Sequence, residues 1–205
     1  SDLAHGKFDR AREILQQGTV ICDIAQTAHM SSQLLQWHGY IDALQGNTEA
    51  ALANIQEAGT LRNESGGPFY ETFYEIIAGA TYCRIGMTEQ AQVLLSSALE
   101  KARNIPSNYL AAAALLHRSW LNLQEKNKAA GNKDLAIALK ILKENRYFYF
   151  WSWEPQFMLE LLTHAVQNGI ESTFSDQLSR QCLKRFIQKK NGPVPLLSIS
   201  ILGPF

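Results

Sequence analysis

The chain repeats itself, and a repeat restricts the architecture before any single residue is interpreted. Four segments align in register: Gly6-Lys-Phe-Asp-Arg-Ala11, Gly46-Asn-Thr-Glu-Ala-Ala51, Gly86-Met-Thr-Glu-Gln-Ala91 and Gly131-Asn-Lys-Asp-Leu-Ala136. Their glycines stand 40, 40 and 45 residues apart, each with an acidic residue three positions on and an alanine five positions on. The pattern predicts a helix, a tight turn at the glycine, and a second helix running back. Glycine takes the left-handed conformation that ends the first helix. The acidic residue then falls in the first turn of the next, where the helix dipole favours negative charge. The alanine lets two backbones approach.

Both helices of the unit carry apolar stripes at helical spacing. In the second helices Leu15, Ile55 and Leu95 follow the alanine by four residues, with Gly18, Ala58 and Ala98 three further on. The first helices show Leu34, Trp37, Ile41 and Leu44, then Phe73, Ile76, Ile77 and Ala80, then Ala112, Leu115, Leu116, Trp120 and Leu123. Gly39 and Gly79 each lie seven residues before a turn glycine, where a missing side chain permits close helix contact. Asn63-Glu-Ser-Gly-Gly-Pro68 and Asn104-Ile-Pro-Ser107 separate one hairpin from the next. The expected fold is all-α: a right-handed superhelical stack of helical hairpins of about 40 residues each.

These residues resemble the tetratricopeptide repeat, whose pattern sets a small residue and an aromatic before a glycine-containing turn, then alanine, an apolar residue and alanine. Gly79, Tyr82, Gly86, Ala91, Leu95 and Ala98 match it, as do Gly39, Gly46, Ala51, Ile55 and Ala58, with Asp42 in the aromatic place. The unit with Trp120, Leu123, Gly131 and Ala136 departs from it, Lys140 and Lys143 replacing the later apolar and small residues. The long period is similar to that of the elongated repeats in large bacterial activators of the MalT-like kind, signal-transducing ATPases that end in a DNA-binding domain. Gly6 to Ala11 then reads as the second half of a repeat whose first helix is absent, and the chain as part of something longer.

Beyond Asn145 the pattern changes to Arg-Tyr-Phe-Tyr-Phe-Trp-Ser-Trp over 146–153, followed by Pro155 and a helical stripe of Met158, Leu161, Leu162, Ala165 and Val166. The rings are expected to cap the open end of the stack in preference to forming a ligand pocket. A further helix is expected over Phe174 to Gln188, with Leu178 and Cys182 inward and Arg180 outward. Residues 191–195 read as a linker, and the alternation in Leu196-Leu-Ser-Ile-Ser-Ile-Leu-Gly-Pro-Phe205 predicts a short C-terminal β-strand. That strand resembles the opening of the winged-helix module of antibiotic-regulatory-type activators. The expected division is 1–145 for the repeats, 146–190 for the capping helices, and 191–205 for the linker and first strand of a truncated winged-helix module.

Composition excludes several functions. The 205 residues carry 19 Lys plus Arg against 19 Asp plus Glu, whereas a nucleic-acid-binding domain usually shows a basic excess. DNA contact is therefore expected only through an adjacent domain. No apolar run approaches the roughly 20 residues that cross a bilayer, no export signal is legible, and three scattered cysteines fit neither a disulfide framework nor a zinc knuckle. A cytoplasmic, reducing setting is expected. No phosphate loop, dinucleotide fingerprint, nucleophile elbow or zinc-protease motif occurs, and Glu154 with His164 near the aromatic cluster is a thin basis for an enzyme. No catalytic, cofactor or metal residues are assigned.

The expectation is instead a non-enzymatic regulatory or sensing domain of a bacterial transcriptional activator, binding a protein partner, peptide or small effector in a groove. The groove is expected to be lined by Gln33, Gln36, Tyr40, Phe73, Ile76, Ala80 and Cys83, with Arg118, Leu121 and Glu125 in the last unit. The alternative is a free-standing adaptor that assembles proteins through the same groove.

Overall fold

The computed structural model describes residues 2–3, 6–25 and 27–187, and among them finds nine helices and no strand. The expected strand lies outside the described residues. The helices are α1 (Phe8–Ala25), α2 (Ala28–Leu44), α3 (Thr48–Glu64), α4 (Pro68–Arg84), α5 (Thr88–Asn104), α6 (Asn108–Gln124), α7 (Lys128–Glu144), α8 (Pro155–Gln167) and α9 (Ser172–Ile187). From α2 to α7 each helix has 17 residues, and first and second helices each recur after 40. Asp9, Glu49 and Glu89 fall in first turns as their spacing predicts.

One expectation is corrected. The third hairpin turns at Lys126, not at Gly131, which lies inside α7. Lys126 has φ 60, beside 81 and 80 for Gly46 and Gly86, and the same bonds close the turn: Asn127 N–H to Asn122 O at 2.8 Å, as Asn47 N–H to Asp42 O at 2.8 Å. A side chain in this conformation costs on the order of 1 kcal/mol, which the packed hairpin tolerates. The true period is 40 throughout. Gly131 then occupies the place of Ala51 and Ala91, while Leu135 and Ala138, both fully buried, fill the places of Ile55 and Ala58. The departures at Lys140 and Lys143 came from the misplaced turn.

Small residues set how closely each hairpin closes. A Cβ on Gly39 would lie 2.8 Å from Ile55 Cγ1 and 3.1 Å from the Ala51 carbonyl, and one on Gly79 2.7 Å from Leu95 Cγ. In the third hairpin the close approach is shared: Ser119 stands in the Gly39 place and donates to the Gly131 carbonyl at 2.9 Å, while a Cβ on Gly131 would meet Leu123 Cγ at 2.7 Å. A buried polar pair accompanies the crossing in the first and third hairpins. Asn54 donates to Asp42 at 2.9 Å, and Asn122 to Asp134 at 3.4 Å, with acid and amide exchanged between the same two places. Arg12 at 2.7 Å completes the first site, and a bidentate Arg118 at 2.7 and 2.9 Å the second.

The hairpins α2/α3, α4/α5, α6/α7 and α8/α9 stack in chain order. The first helices form one layer, α2 against α4, α4 against α6 and α6 against α8, and α1, α3, α5 and α7 each also pack against the first helix that follows. The main core runs from Tyr40 and Ile41 through Ile76, Ile77 and Leu110–Leu116 to Phe157, Met158 and Leu162. Among the described residues, no helix is long and apolar enough to cross a membrane.

Candidate binding face

The face of the first-helix layer turned toward residues 147–154 is not an open groove. After α7 the chain runs through 147–150 without regular structure and returns across this face. Phe150, Ser152, Trp153 and Glu154 are buried in it. Trp151 packs edge-on against Phe73 of α4 at 4.7 Å and Tyr109 of α6 at 4.8 Å. The aromatic run does more than finish the end of the stack, since with α2 it also lines a cavity against Trp37 and Ile41.

Beneath the strap lies a polar cluster drawn from α2, α4, α6 and the strap itself. Glu154 caps α8, accepting from the N–H groups of Gln156 and Phe157 at 2.8 Å each, and pairs with Arg84 at 3.1 Å. The Arg84 guanidinium lies over the Trp120 ring at 4.4 Å, and Trp120 donates its indole N–H to Glu160 at 2.8 Å. The Tyr40 hydroxyl is wholly buried near Arg84 with no hydrogen bond of good geometry, and burial holds its pKa above the usual phenolic range. His117 shares a 2.8 Å hydrogen bond with Ser152 and stacks on Phe157 at 4.5 Å.

Burial, and then the Arg84 cation, lower the pKa of His117 to about 3. The unfolded histidine titrates near 6.5, so the folded state is the one that refuses the proton. The stability linked to this group is complete above pH 6.5 and falls as the pH drops below it, by about 2 kcal/mol at pH 5 relative to pH 8. Urea unfolding at the two pH values checks this: His117→Gln should lack that increment, and equal pH sensitivity in both proteins would show that His117 is protonated in the fold.

The expected groove residues divide into two groups. Gln36, Tyr40, Phe73, Ile76 and Ala80 are buried in the first-helix layer, and Gln33, half-buried, accepts a 2.5 Å hydrogen bond from Gln36. Cys83 and Leu121 pack instead with Ala91 and Leu95, and burial pushes the Cys83 thiol up to about 12. Arg118 turns to Asp134 and Ser96, and Glu125 is exposed in a turn. Placing the third turn five residues late explains the displacement in α6, because five residues rotate a helical position by about 140°. In the 40-residue register the places of Phe73, Ile76 and Ala80 belong to Ala113, Leu116 and Trp120.

What this face leaves open is an aromatic ledge. Phe69, Tyr70 and Trp151 are 39%, 40% and 41% exposed, although Phe69 packs on Tyr70 at 5.4 Å and on Trp151 at 6.1 Å. Tyr70 is steadied by the His29 ring at 4.4 Å and by Arg62 at 5.7 Å from its centroid. Sequence reasoning passed over Phe69 and Tyr70. The available signal was two adjacent large aromatics at the start of a helix, just after Gly66-Gly67-Pro68, and ahead of that helix's apolar stripe. Among the described residues, no group of three or more His, Cys, Asp or Glu side chains is placed to hold a metal ion. No family model and no curated protein matches the chain.

Proposed function

We propose that this chain is a regulatory domain of the tetratricopeptide type, built as a right-handed superhelix of elongated repeats, that works by binding a protein or peptide partner. The reading extends to a role in a bacterial transcriptional activator in the cytoplasm, with DNA contacted through an adjacent domain. That part is supported by the likeness of the 40-residue repeats and of the final residues to such activators.

The observation that carries the binding role is the ledge of Phe69, Tyr70 and Trp151. Exposed rings held in place by neighbouring rings give large contact area at little entropic cost, which is the usual make-up of a binding hot spot. A ledge suits an extended peptide or protein surface better than a small molecule, which needs enclosure. Binding there would bias how the hairpins pack on their neighbours and so shift the state of an attached domain.

The test is a displayed peptide library panned on the chain. Selected peptides should carry an apolar or aromatic anchor and lose tenfold or more in affinity on Phe69→Ser and on Trp151→Ser, with the helical circular dichroism retained. Undiminished binding to both variants would remove the ledge from the mechanism. Tyr40→Ala is a poor probe, because Tyr40 is fully buried and its truncation disturbs the core. For the regulatory role, an immunoblot of the native cell lysate should show a band several times 23.0 kDa, and a band near that mass would favour a free-standing adaptor.

A further inference from the structure

Arg62, near the end of α3, is 3% exposed, and among the described residues no carboxylate pairs with it. Its guanidinium is held instead by His29 Nδ1 at 2.9 Å, the Ser65 carbonyl at 3.2 Å and the His29 carbonyl at 3.4 Å, and its Nε has no acceptor. The neighbouring loop leaves room for the group: a Cβ on Gly66, whose φ is 122, would lie 2.8 Å from Arg62 Nη1. Arginine is rarely buried without an acidic partner, so here the neutrality of His29 matters.

The chemistry of the pair fixes where the protons are. A guanidinium only donates hydrogen bonds, so His29 Nδ1 accepts, the ring is neutral and its proton sits on Nε2. A second proton would set N–H against N–H at 2.9 Å, and cation against cation. The surroundings oppose that proton too. Burial, and then the Arg62 charge, lower the His29 pKa from its ordinary 6.5, and among the described residues Arg62 is the charge that acts on the ring. His29 is the second residue of α2, whose first turn holds no acid, and a helix N-terminus disfavours positive charge. On α4, Tyr70 faces both groups, while Glu71 acts on Arg62 and also meets Lys101 of α5 at 3.6 Å.

The same two groups hold one ring of the ledge. The Tyr70 ring meets His29 edge-on at 4.4 Å, and the Arg62 guanidinium stands 5.7 Å from its centroid. We propose that His29 and Arg62 form a proton-operated latch on the ledge: it is fastened while His29 is neutral, and a proton on Nδ1 drives the two groups apart and takes from Tyr70 one or both of its supports. The direction follows from the chemistry. A histidine that resists protonation in the fold adds stability that is complete above pH 6.5 and falls as the pH drops below it. Tyr70 is therefore fixed at neutral pH and loosened in mild acid, with weaker binding as the result. That effect on binding rests on the ledge reading, whereas the latch itself does not.

Nuclear magnetic resonance of the whole chain, with labelled histidine and tyrosine rings, tests the latch without a ligand. Long-range proton–nitrogen correlations at pH 7.5 should place the His29 proton on Nε2. On acidification its midpoint should lie below 6.5, and the Tyr70 ring signals should move with that midpoint. His29→Gln, which leaves the other titrating groups in place, should abolish the Tyr70 step, and Arg62→Met should return the His29 midpoint toward 6.5. If Arg62→Met does not fold, the tautomer and the shared midpoint in the parent chain decide the matter. A peptide selected on the ledge should bind the parent chain about threefold or more weakly at pH 5 than at pH 7.5, and His29→Gln should show a smaller ratio whatever its affinity at pH 7.5. A proton on Nδ1 at pH 7.5, a midpoint at or above 6.5, or Tyr70 signals that do not follow His29 overturns the latch. Equal pH ratios in the two proteins overturn its control of binding. If no peptide binds at either pH, the ledge reading fails, and the titrations alone decide the latch.

Discussion

Replacing Glu154 with alanine is expected to lower the free energy of unfolding by about 3–5 kcal/mol, measured by urea titration followed by circular dichroism. Three effects add. The carboxylate that holds Arg84 at 3.1 Å is removed, while the Arg84 side chain stays 17% exposed and its charge largely out of water. The N–H groups of Gln156 and Phe157 lose their acceptor at the start of α8, a loss of about 1 kcal/mol by itself. The anchor that ends the strap is lost as well. Glu154→Gln keeps one acceptor oxygen for the two N–H groups, its NH2 being unable to accept, and should lose less than Glu154→Ala. With Arg84→Met added, the Glu154→Ala penalty should shrink, because no cation is then left unpaired. If Glu154→Ala costs under about 1 kcal/mol, the pair is solvated and the strap is held by its rings alone.

Phe150→Ala is expected to cost about 3–5 kcal/mol, the range for truncating a buried phenylalanine. Its ring is 2% exposed, 5.2 Å from Trp153 and 6.4 Å from His117. The effect should also reach distant residues. Phe150 neighbours Trp151, which packs on α4 and α6, so amide exchange in those helices should quicken along with that of the strap. Phe69→Ala on the ledge is the contrast: its ring is 39% exposed, and a change within about 0.5 kcal/mol is expected as for surface sites. A small loss at Phe150, or equal losses at both, would mean that 147–154 lies on the stack without being part of its core.

Much of the architecture was legible because it is written in local chemistry. Gly46 and Gly86 announced their turns through the conformation that only glycine adopts freely, and Gly39 and Gly79 announced close crossings through a missing side chain. The third turn was not legible, since Lys126 takes the same conformation without any compositional sign. A glycine five residues later drew the alignment to itself, and the groove residues in α6 went with it. Exposure also misled: Tyr40 and Gln36 were expected to line a groove, and the chain's own aromatic strap covers that face instead.

The sequence by itself determined that this protein is a stack of helical hairpins, where nearly every hairpin turns and which side of each helix is apolar. These follow from periodicity and turn geometry, which act over a few residues. Only the tertiary structure decided what lies on the first-helix layer, and therefore which rings remain exposed and which charges are paired. Arg84 and Glu154 are 70 residues apart in sequence, as His117 and Ser152 are 35. No local rule brings such residues together: the strap returns because burying Phe150 and Trp153 against the helices outweighs the entropy of ordering the segment, a balance struck only in the folded chain.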